Sequence, residues 1–245
     1  MVEERLIRLM KRVPLFAKMP DSEVSQIGDQ CVCRECKKDQ VILVEEELGQ
    51  TFFIILHGMV KVTRTSDEGR EVIITMLRAG DFFGELSLLD GKGRSATVVA
   101  MEDSELLTLR RSEFLLLLEQ YPMISVELLK VLADRIRKNN TQIEYLTLQD
   151  AVGRVGSTII HVAESTGYSR GEARIIPKLP VQQDLANMAG TARETISRIM
   201  ALFESSGLVE RDGHRVIIPN FSRFKDDYRT AVHGKDEAGK NVEKA

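Results

Sequence analysis

The sequence predicts an α+β fold in three parts: a jelly-roll-like β-barrel, one long helix, and a winged helix-turn-helix. Three observations carry this reading. Between Val41 and Leu109 the chain is rich in β-branched and aromatic residues, as in TFFIILHGMVKVTRT and EVIITML, and Gly58, Gly69, Gly80 and Gly91 recur at an interval of eleven. That is the rhythm of strands and turns in an antiparallel sandwich or barrel. After Arg110 no glycine occurs until Gly153, and the composition turns to Leu, Lys, Glu and Arg, which is helical texture. Finally, LPVQQDLANMAGTARETISRIMALFESSGLVERDGHRVIIPN strings together a helix, a tight turn, a second helix and a hairpin.

Taken in order, residues 5–30 read as short helices, with Asp21 or Ser22 as an N-cap ahead of Val24 and Ile27. With the barrel they make up a first domain, 1–110, in which Asp67-Glu68-Gly69-Arg70 forms a hairpin tip. Residues 111–149 form the long helix and hinge. Within it Leu129, Leu132, Ile136, Asn139, Ile143 and Leu146 follow 3,4,3,4,3 spacing, the seam of a short coiled coil with one polar position. Such a seam predicts pairing of two copies, although packing on the chain's own barrel would also produce an apolar stripe. Asp150 is a good N-cap for a helix from Ala151 to about Ala163, so the hinge is placed at 148–150 and the winged helix-turn-helix domain at 150–222. In that domain 165–178 reads as loops or short strands, the tight turn as Ala189-Gly190-Thr191, the second helix as starting near Ala192, and the hairpin as centred on Asp212-Gly213. The remainder, 223–245, is charged and poor in apolar residues from Ala231 on, which predicts a disordered tail.

Composition sets bounds on function. With 245 residues and 43% hydrophobic content the chain can bury real cores. No apolar run reaches the length of a membrane span and MVEERLIRLMKR lacks the features of a secretory signal, so a cytoplasmic protein with no membrane partner is expected. A formal net charge of −3 at pH 7 gives no bulk attraction to nucleic acid, and any DNA contact must be local. The cysteines, Cys31, Cys33 and Cys36, are odd in number and close together. A disulfide framework is not expected. Three metal or cluster ligands with a fourth from His57 or a second subunit is one reading; the other is that Cys31 and Cys33 share one face at the start of a strand as small hydrophobes. His57, His161, His214 and His233 show no metal-ligand spacing, and no nucleophile with a neighbouring base appears, so neither an enzyme nor a metal site is expected.

The stretch GDFFGELSLLDGKGRSAT, residues 80–97, sets several glycines around one Glu and one Arg. Backbone that must approach something closely needs glycine, and Glu85 with Arg94 suggests a small ligand carrying a hydroxyl and a negative charge. A Glu85–Arg94 ion pair that only closes a loop is the structural alternative. In the last third, Arg193, Glu194, Ser197 and Arg198 share one side of the second helix near its start, while Ile196, Ile199, Met200 and Phe203 line the other. Residues 181–218 hold four Arg against five Asp or Glu, so recognition there depends on arrangement.

With GELSLL followed by RSAT in the barrel, and GTARETISRIMALFESSGLV in the last third, the chain resembles the cyclic-AMP receptor and fumarate–nitrate reduction regulator family of bacterial transcription factors over about residues 10–222. The resemblance implies a homodimeric, sequence-specific DNA-binding regulator with cyclic AMP as effector. It implies that Glu85 accepts the ribose 2′-hydroxyl and that Arg94 and Ser95 hold the cyclic phosphate. Backbone N–H groups near Gly84, Glu85 and Leu86 complete the cradle. Asn139 and Asn140 match the family's base-contacting pair; for Asn139 a register-setting role in the seam is compatible with that one. It also implies double-stranded DNA with inverted half-sites like TGTGA, read by Arg193 and Arg198 at guanine and Glu194 at cytosine. Thr191, Thr195, Ser197 and Arg215 are candidate phosphate partners, and RNA polymerase is an expected partner. Ser87 and Gly93 depart from the residues many members show. The family's iron–sulfur members place a further cysteine inside the barrel, and this chain has none after Cys36.

Overall fold

The computed structural model describes residues 2–148 and 150–228. The chain divides into two compact units, 1–138 and 139–245. This boundary falls inside the long helix, earlier than the hinge expected at 148–150.

The first unit runs α1 (Val2–Met10), α2 (Asp21–Asp29), β1 (Val32–Cys36), β2 (Val41–Leu43), β3 (Thr51–His57), β4 (Met59–Thr65), β5 (Glu71–Arg78), β6 (Phe82–Phe83), α3 (Glu85–Asp90), β7 (Thr97–Ala100), β8 (Ser104–Arg110) and α4 (Arg111–Gln120), and leads into α5 (Pro122–Leu148). Its strands form two antiparallel four-stranded sheets, ordered β1-β8-β3-β6 and β2-β7-β4-β5. The result is jelly-roll-like, as expected, but the sheets stay open and do not close into a barrel. β2 and β6 have three and two residues and pair on one side only, too little strand to join the sheets.

Strand β3 shows why the unit has three layers. Phe53 and Ile55 point into the space between the sheets with Val60, Leu77, Val98 and Leu106. Phe52, Ile54 and Leu56 point the other way, to Met10, Phe16, Ile27, Phe114, Ile124 and Leu128 of the helical layer. A strand buried on both faces reads as a continuous apolar run, which is what TFFIIL is. The four regularly spaced glycines all have positive φ, between 72° and 95°, so each sits in a turn that a side chain would strain. Pro20, rather than Asp21 or Ser22, occupies the N-cap position of α2.

The face of α5 that meets this core carries Ile124 and Leu128, with Val131 and Leu132 packed against the same cluster. Leu132 is therefore not a free seam position. Val126, Leu129, Ile136 and Ile143 are 45–65% exposed on a different face. The side chain of Leu146 lies outside the described residues.

The second unit contains α6 (Ala151–Thr166), β9 (Tyr168–Arg170), β10 (Ala173–Ile176), α7 (Gln182–Ala189), α8 (Arg193–Ser205), β11 (Glu210–Asp212), β12 (Arg215–Ile218) and α9 (Phe221–Asp227). Asp150 caps α6 as expected, accepting from the Gly153 N–H at 2.7 Å. The stretch 165–178 forms β9 and β10, which join β12 and β11 in one sheet. The folded domain does not end at 222. Phe224 and Tyr228 are buried, Phe224 meets Phe203 edge-on at 5.5 Å, and the Tyr228 hydroxyl lies 3.1 Å from Ser157 Oγ. Those apolar contacts fix 223–228, while 229–245 lie outside the described residues. No helix among the described residues is long and apolar enough to cross a membrane.

Candidate ligand site and nucleic-acid interface

Gly84 ends β6 with φ 83° and ψ 5° and starts α3. A Cβ there would stand 2.8 Å from Arg94 Nη1 and 3.1 Å from the Thr51 carbonyl oxygen, so glycine is needed for backbone shape and for room. This turn brings together Glu85 and Arg94, which are 1% and 6% exposed. They do not form the ion pair considered above. Arg94 donates from Nη1 to the Gly84 carbonyl at 2.7 Å and to Ser87 Oγ at 2.8 Å, and from Nη2 to the Thr51 carbonyl at 2.8 Å.

Glu85 is paired instead with Arg135 of α5, whose Nη1 lies 2.7 Å from Oε1. Arg135 also donates from Nη2 to the Phe82 carbonyl at 2.6 Å and stands over the Phe82 ring, 4.8 Å from its centroid. Burial pushes the Glu85 carboxyl above its ordinary value, and Arg135 is the strongest influence holding it down. Burial pushes the Arg94 guanidinium down, and Glu85 opposes this. Sequence reasoning missed Arg135. The available signal was its place, since Ile124, Leu128, Val131 and Arg135 share one helix face at 4,3,4 spacing and only the last is charged.

The other expected ligand residues are distributed as follows. Leu86 and Ser95 are exposed, Leu86 on α3 and Ser95 immediately after Arg94. Asn139 and Asn140 are exposed and belong to the second unit, so the cluster of the first unit does not include them.

No group of three His, Cys, Asp or Glu residues among the described ones could hold a metal ion. The cysteines do not act alike. Cys31 is half-buried, packs on the helical core and donates to the Ile27 carbonyl at 3.2 Å. Desolvation, aided by Glu113, pushes its thiol up to about 12. Cys36 is buried between the sheets. Cys33 is exposed on β1 with Sγ 3.4 Å from Glu105 Oε1, which corrects the expectation that Cys31 and Cys33 share a packed face.

In the second unit Gly190 ends α7 in the left-handed conformation, φ 56° and ψ 46°, and Ala192 is the N-cap of α8. Arg154 donates to the Ala189 carbonyl at 3.0 Å and so tethers the turn to α6. Leu185, Ala186, Met188 and Ala189 of α7 are buried along with Ile196, Ile199, Met200 and Phe203 of α8. The opposite side of α8 presents Arg193, Glu194, Ser197 and Arg198 to solvent, with Thr191 and Thr195 half-buried beside them. In the wing Arg215 is half-buried and 3.7 Å from Asp212. A cleft of about 390 Å³ between wing and helices is lined by Gln182, Gln183, Arg193, Arg211 and His214.

The chain thus joins an antiparallel jelly roll with a buried Glu and Arg at a glycine turn to a helix-turn-helix with a charged outer face, the architecture of a DNA-binding regulator. Comparison with known proteins gives the family. Residues 33–121 match the model of the cyclic nucleotide-binding domain, and residues 153–226 that of the Crp-like helix-turn-helix domain. The Cyclic AMP receptor protein of Thermus thermophilus is 32% identical over 200 residues, 82% of this chain and 89% of the relative. The CRP-like cAMP-activated global transcriptional regulator of Mycobacterium tuberculosis is 27% identical over 216 residues, 88% and 96%. Among solved structures, the catabolite activator protein of Thermus thermophilus aligns with TM-score 0.51 and 29% identity over 90% of this chain and 99% of that one. FixK2 of Bradyrhizobium japonicum aligns with TM-score 0.72 over 80% and 96%, and at 19% identity it speaks for the fold alone. The chain belongs to the cyclic-AMP receptor and fumarate–nitrate reduction regulator family: it is a transcriptional regulator, not an enzyme.

Proposed function

We propose that this chain is a homodimeric transcription regulator of the cytoplasm, gated by a cyclic nucleotide, with cyclic AMP as the effector. One observation carries the reading. Arg94 is buried, yet among the described residues it donates only three of its five N–H groups, beside a carboxylate that is also buried. A cyclic phosphate with an adjacent ribose hydroxyl supplies the complementary acceptor and donor. Arg94 and Ser95 take the phosphate with the backbone at Gly84, Glu85 and Leu86, and Glu85 takes the 2′-hydroxyl. Asn139 and Asn140 are the candidates for reading the base. The names of the relatives from Mycobacterium tuberculosis and Thermus thermophilus support cyclic AMP.

Ligand binding shifts an existing equilibrium so that two copies of α8 fit successive major grooves of an inverted repeat. Arg193 and Arg198 read guanine and Glu194 reads cytosine, while Thr191, Thr195, Ser197 and Arg215 hold phosphates and the bound dimer engages RNA polymerase. The test is thermal unfolding with cyclic AMP, cyclic GMP and cyclic di-GMP. A ligand at a hundred times its Kd stabilises the folded state by about 2.7 kcal/mol. Cyclic AMP should raise the melting temperature of wild type and leave that of Arg94→Leu unchanged. A wild-type melting temperature that millimolar cyclic AMP does not move would overturn the reading.

A further inference from the structure

The side chain that matters most at this site is itself held in a specific seat. Ser87 is 4% exposed, and its hydroxyl both accepts from Arg94 Nη1 at 2.8 Å and lies 3.4 Å from the Gly84 carbonyl as a donor. With the Gly84 and Thr51 carbonyls it consumes both Nη1 hydrogens and one on Nη2. Among the described residues the Nε–H and the other Nη2–H have no acceptor. Gly49 closes the seat from another side. A Cβ on Gly49 would stand 2.4 Å from Arg94 Cζ and Nε and 2.4 Å from Ser87 Oγ, so the missing side chain is the space the guanidinium occupies. The backbone nearby is tied down as well, since Arg94 N–H donates to the Glu47 carbonyl and Glu46 N–H to the Arg94 carbonyl, both at 2.9 Å.

We propose that Gly49 and Ser87 are positioning residues for the effector's anion: they seat the Arg94 guanidinium so that its unspent N–H groups are fixed before a ligand arrives. The inference rests on the cyclic-nucleotide reading of the site and adds residues to it. A guanidinium on a flexible stem loses rotamer freedom when it binds, and one already held by three acceptors does not lose it again. Ser87 thus contributes to affinity without touching the ligand.

Two measurements test this on the full-length protein. The first is the Nε–Hε resonance of Arg94, identified by its loss in Arg94→Lys. It should be sharp in ligand-free wild type and broadened in Ser87→Ala, which removes the third acceptor and, besides it, only the long 3.4 Å contact to the Gly84 carbonyl. The second is calorimetric titration with cyclic AMP. Ser87→Ala should bind about tenfold more weakly, the scale of one charge-assisted hydrogen bond's contribution to order. Gly49→Ala should bind more weakly still. Ser87→Ala that binds as tightly as wild type, or tighter, overturns the proposal, the latter by making the serine a competitor of the phosphate. An unchanged Arg94 resonance in Ser87→Ala overturns it too. Absence of any binding by wild type overturns the cyclic-nucleotide reading first, and is told apart because no substitution is needed to see it.

Discussion

Replacing Arg135 by Ala leaves the Glu85 carboxylate, 1% exposed, without its ion-pair partner at 2.7 Å. Breaking a buried pair from one side costs about 3–5 kcal/mol, and the lost bond to the Phe82 carbonyl adds about 1 kcal/mol. In a Glu85→Gln background the charge is gone, so the same substitution should cost only about 1–1.5 kcal/mol. The coupling between the two positions is the difference, about 3–5 kcal/mol. Amide hydrogen exchange of β3, the strand between β8 and β6, reports the stability of the first unit alone. The effect also depends on pH. Burial already raises the folded carboxyl of Glu85 above its unfolded value, and without Arg135 it rises further. A group raised in the folded state contributes stability that is present below the unfolded value and lost as pH rises through the folded one. Arg135→Ala should therefore regain stability on acidification from pH 7 toward the ordinary carboxylate range, and Arg135→Ala with Glu85→Gln should not. Equal costs of Arg135→Ala in the two backgrounds would refute the reasoning.

Other consequences are testable in the same way. Arg193→Ala should cost about 1–3 kcal/mol at a preferred palindrome and blur one base pair per half-site, whereas equal losses on specific and random DNA would assign Arg193 to phosphate. In the native protein a thiol-reactive disulfide reagent at pH 8 should label Cys33, with Cys31, held near 12, and buried Cys36 reacting only on unfolding; mass spectrometry of the labelled peptides decides. Gly156→Ala sets a Cβ 2.2 Å from the Tyr228 ring and should destabilise the second unit by about 1–3 kcal/mol despite the better helix propensity of Ala, and Tyr228→Phe, which loses the contact to Ser157, by about 1 kcal/mol; thermal unfolding measures both.

How much was legible follows from the range of each interaction. The rhythm of Gly58, Gly69, Gly80 and Gly91 could be read because a positive φ is a property of one residue and its turn. The turn at Gly190 and the two faces of α8 were readable for the same reason, being local periodicity. The partner of Glu85 was not, because Arg135 lies fifty residues away and only the packing of α5 on the sheet brings the charges together. Arg94 seemed free to pair with Glu85 because sequence cannot show that carbonyls of Thr51 and Gly84 reach it first. The end of the second domain was misplaced since FSRFKDDY looks polar, and its Phe224 and Tyr228 gain an apolar reading only once Phe203 is found beside them. Strand spacing pointed to a jelly-roll-like sandwich or barrel, and it does not reveal that two strands are too short to bridge the sheets.

The phase of α5 joins these threads. Leu129, Ile136 and Ile143 repeat every seven residues and are exposed, so this row of the expected seam stands clear of the chain's own core. The companion row was taken as Leu132, Asn139 and Leu146, but Leu132 packs on the core of the first unit. A row displaced to the other side, Val126, Ala133 and Asn140, restores 3,4,3,4,3 spacing with the exposed residues and leaves Leu132 where it is. Val126 is 45% exposed and Ala133 half-buried, as this phase requires. On the proposed homodimer reading, Asn140 then becomes the polar seam residue, while Asn139 lies four residues beyond Arg135 on the flank of the helix that carries the Glu85 contact. The two asparagines separate by role: Asn140→Leu should tighten association of two copies, Asn139→Leu should leave it unchanged, and sedimentation equilibrium of both variants distinguishes the phases. Tighter association from Asn139→Leu alone would restore the row through Leu132.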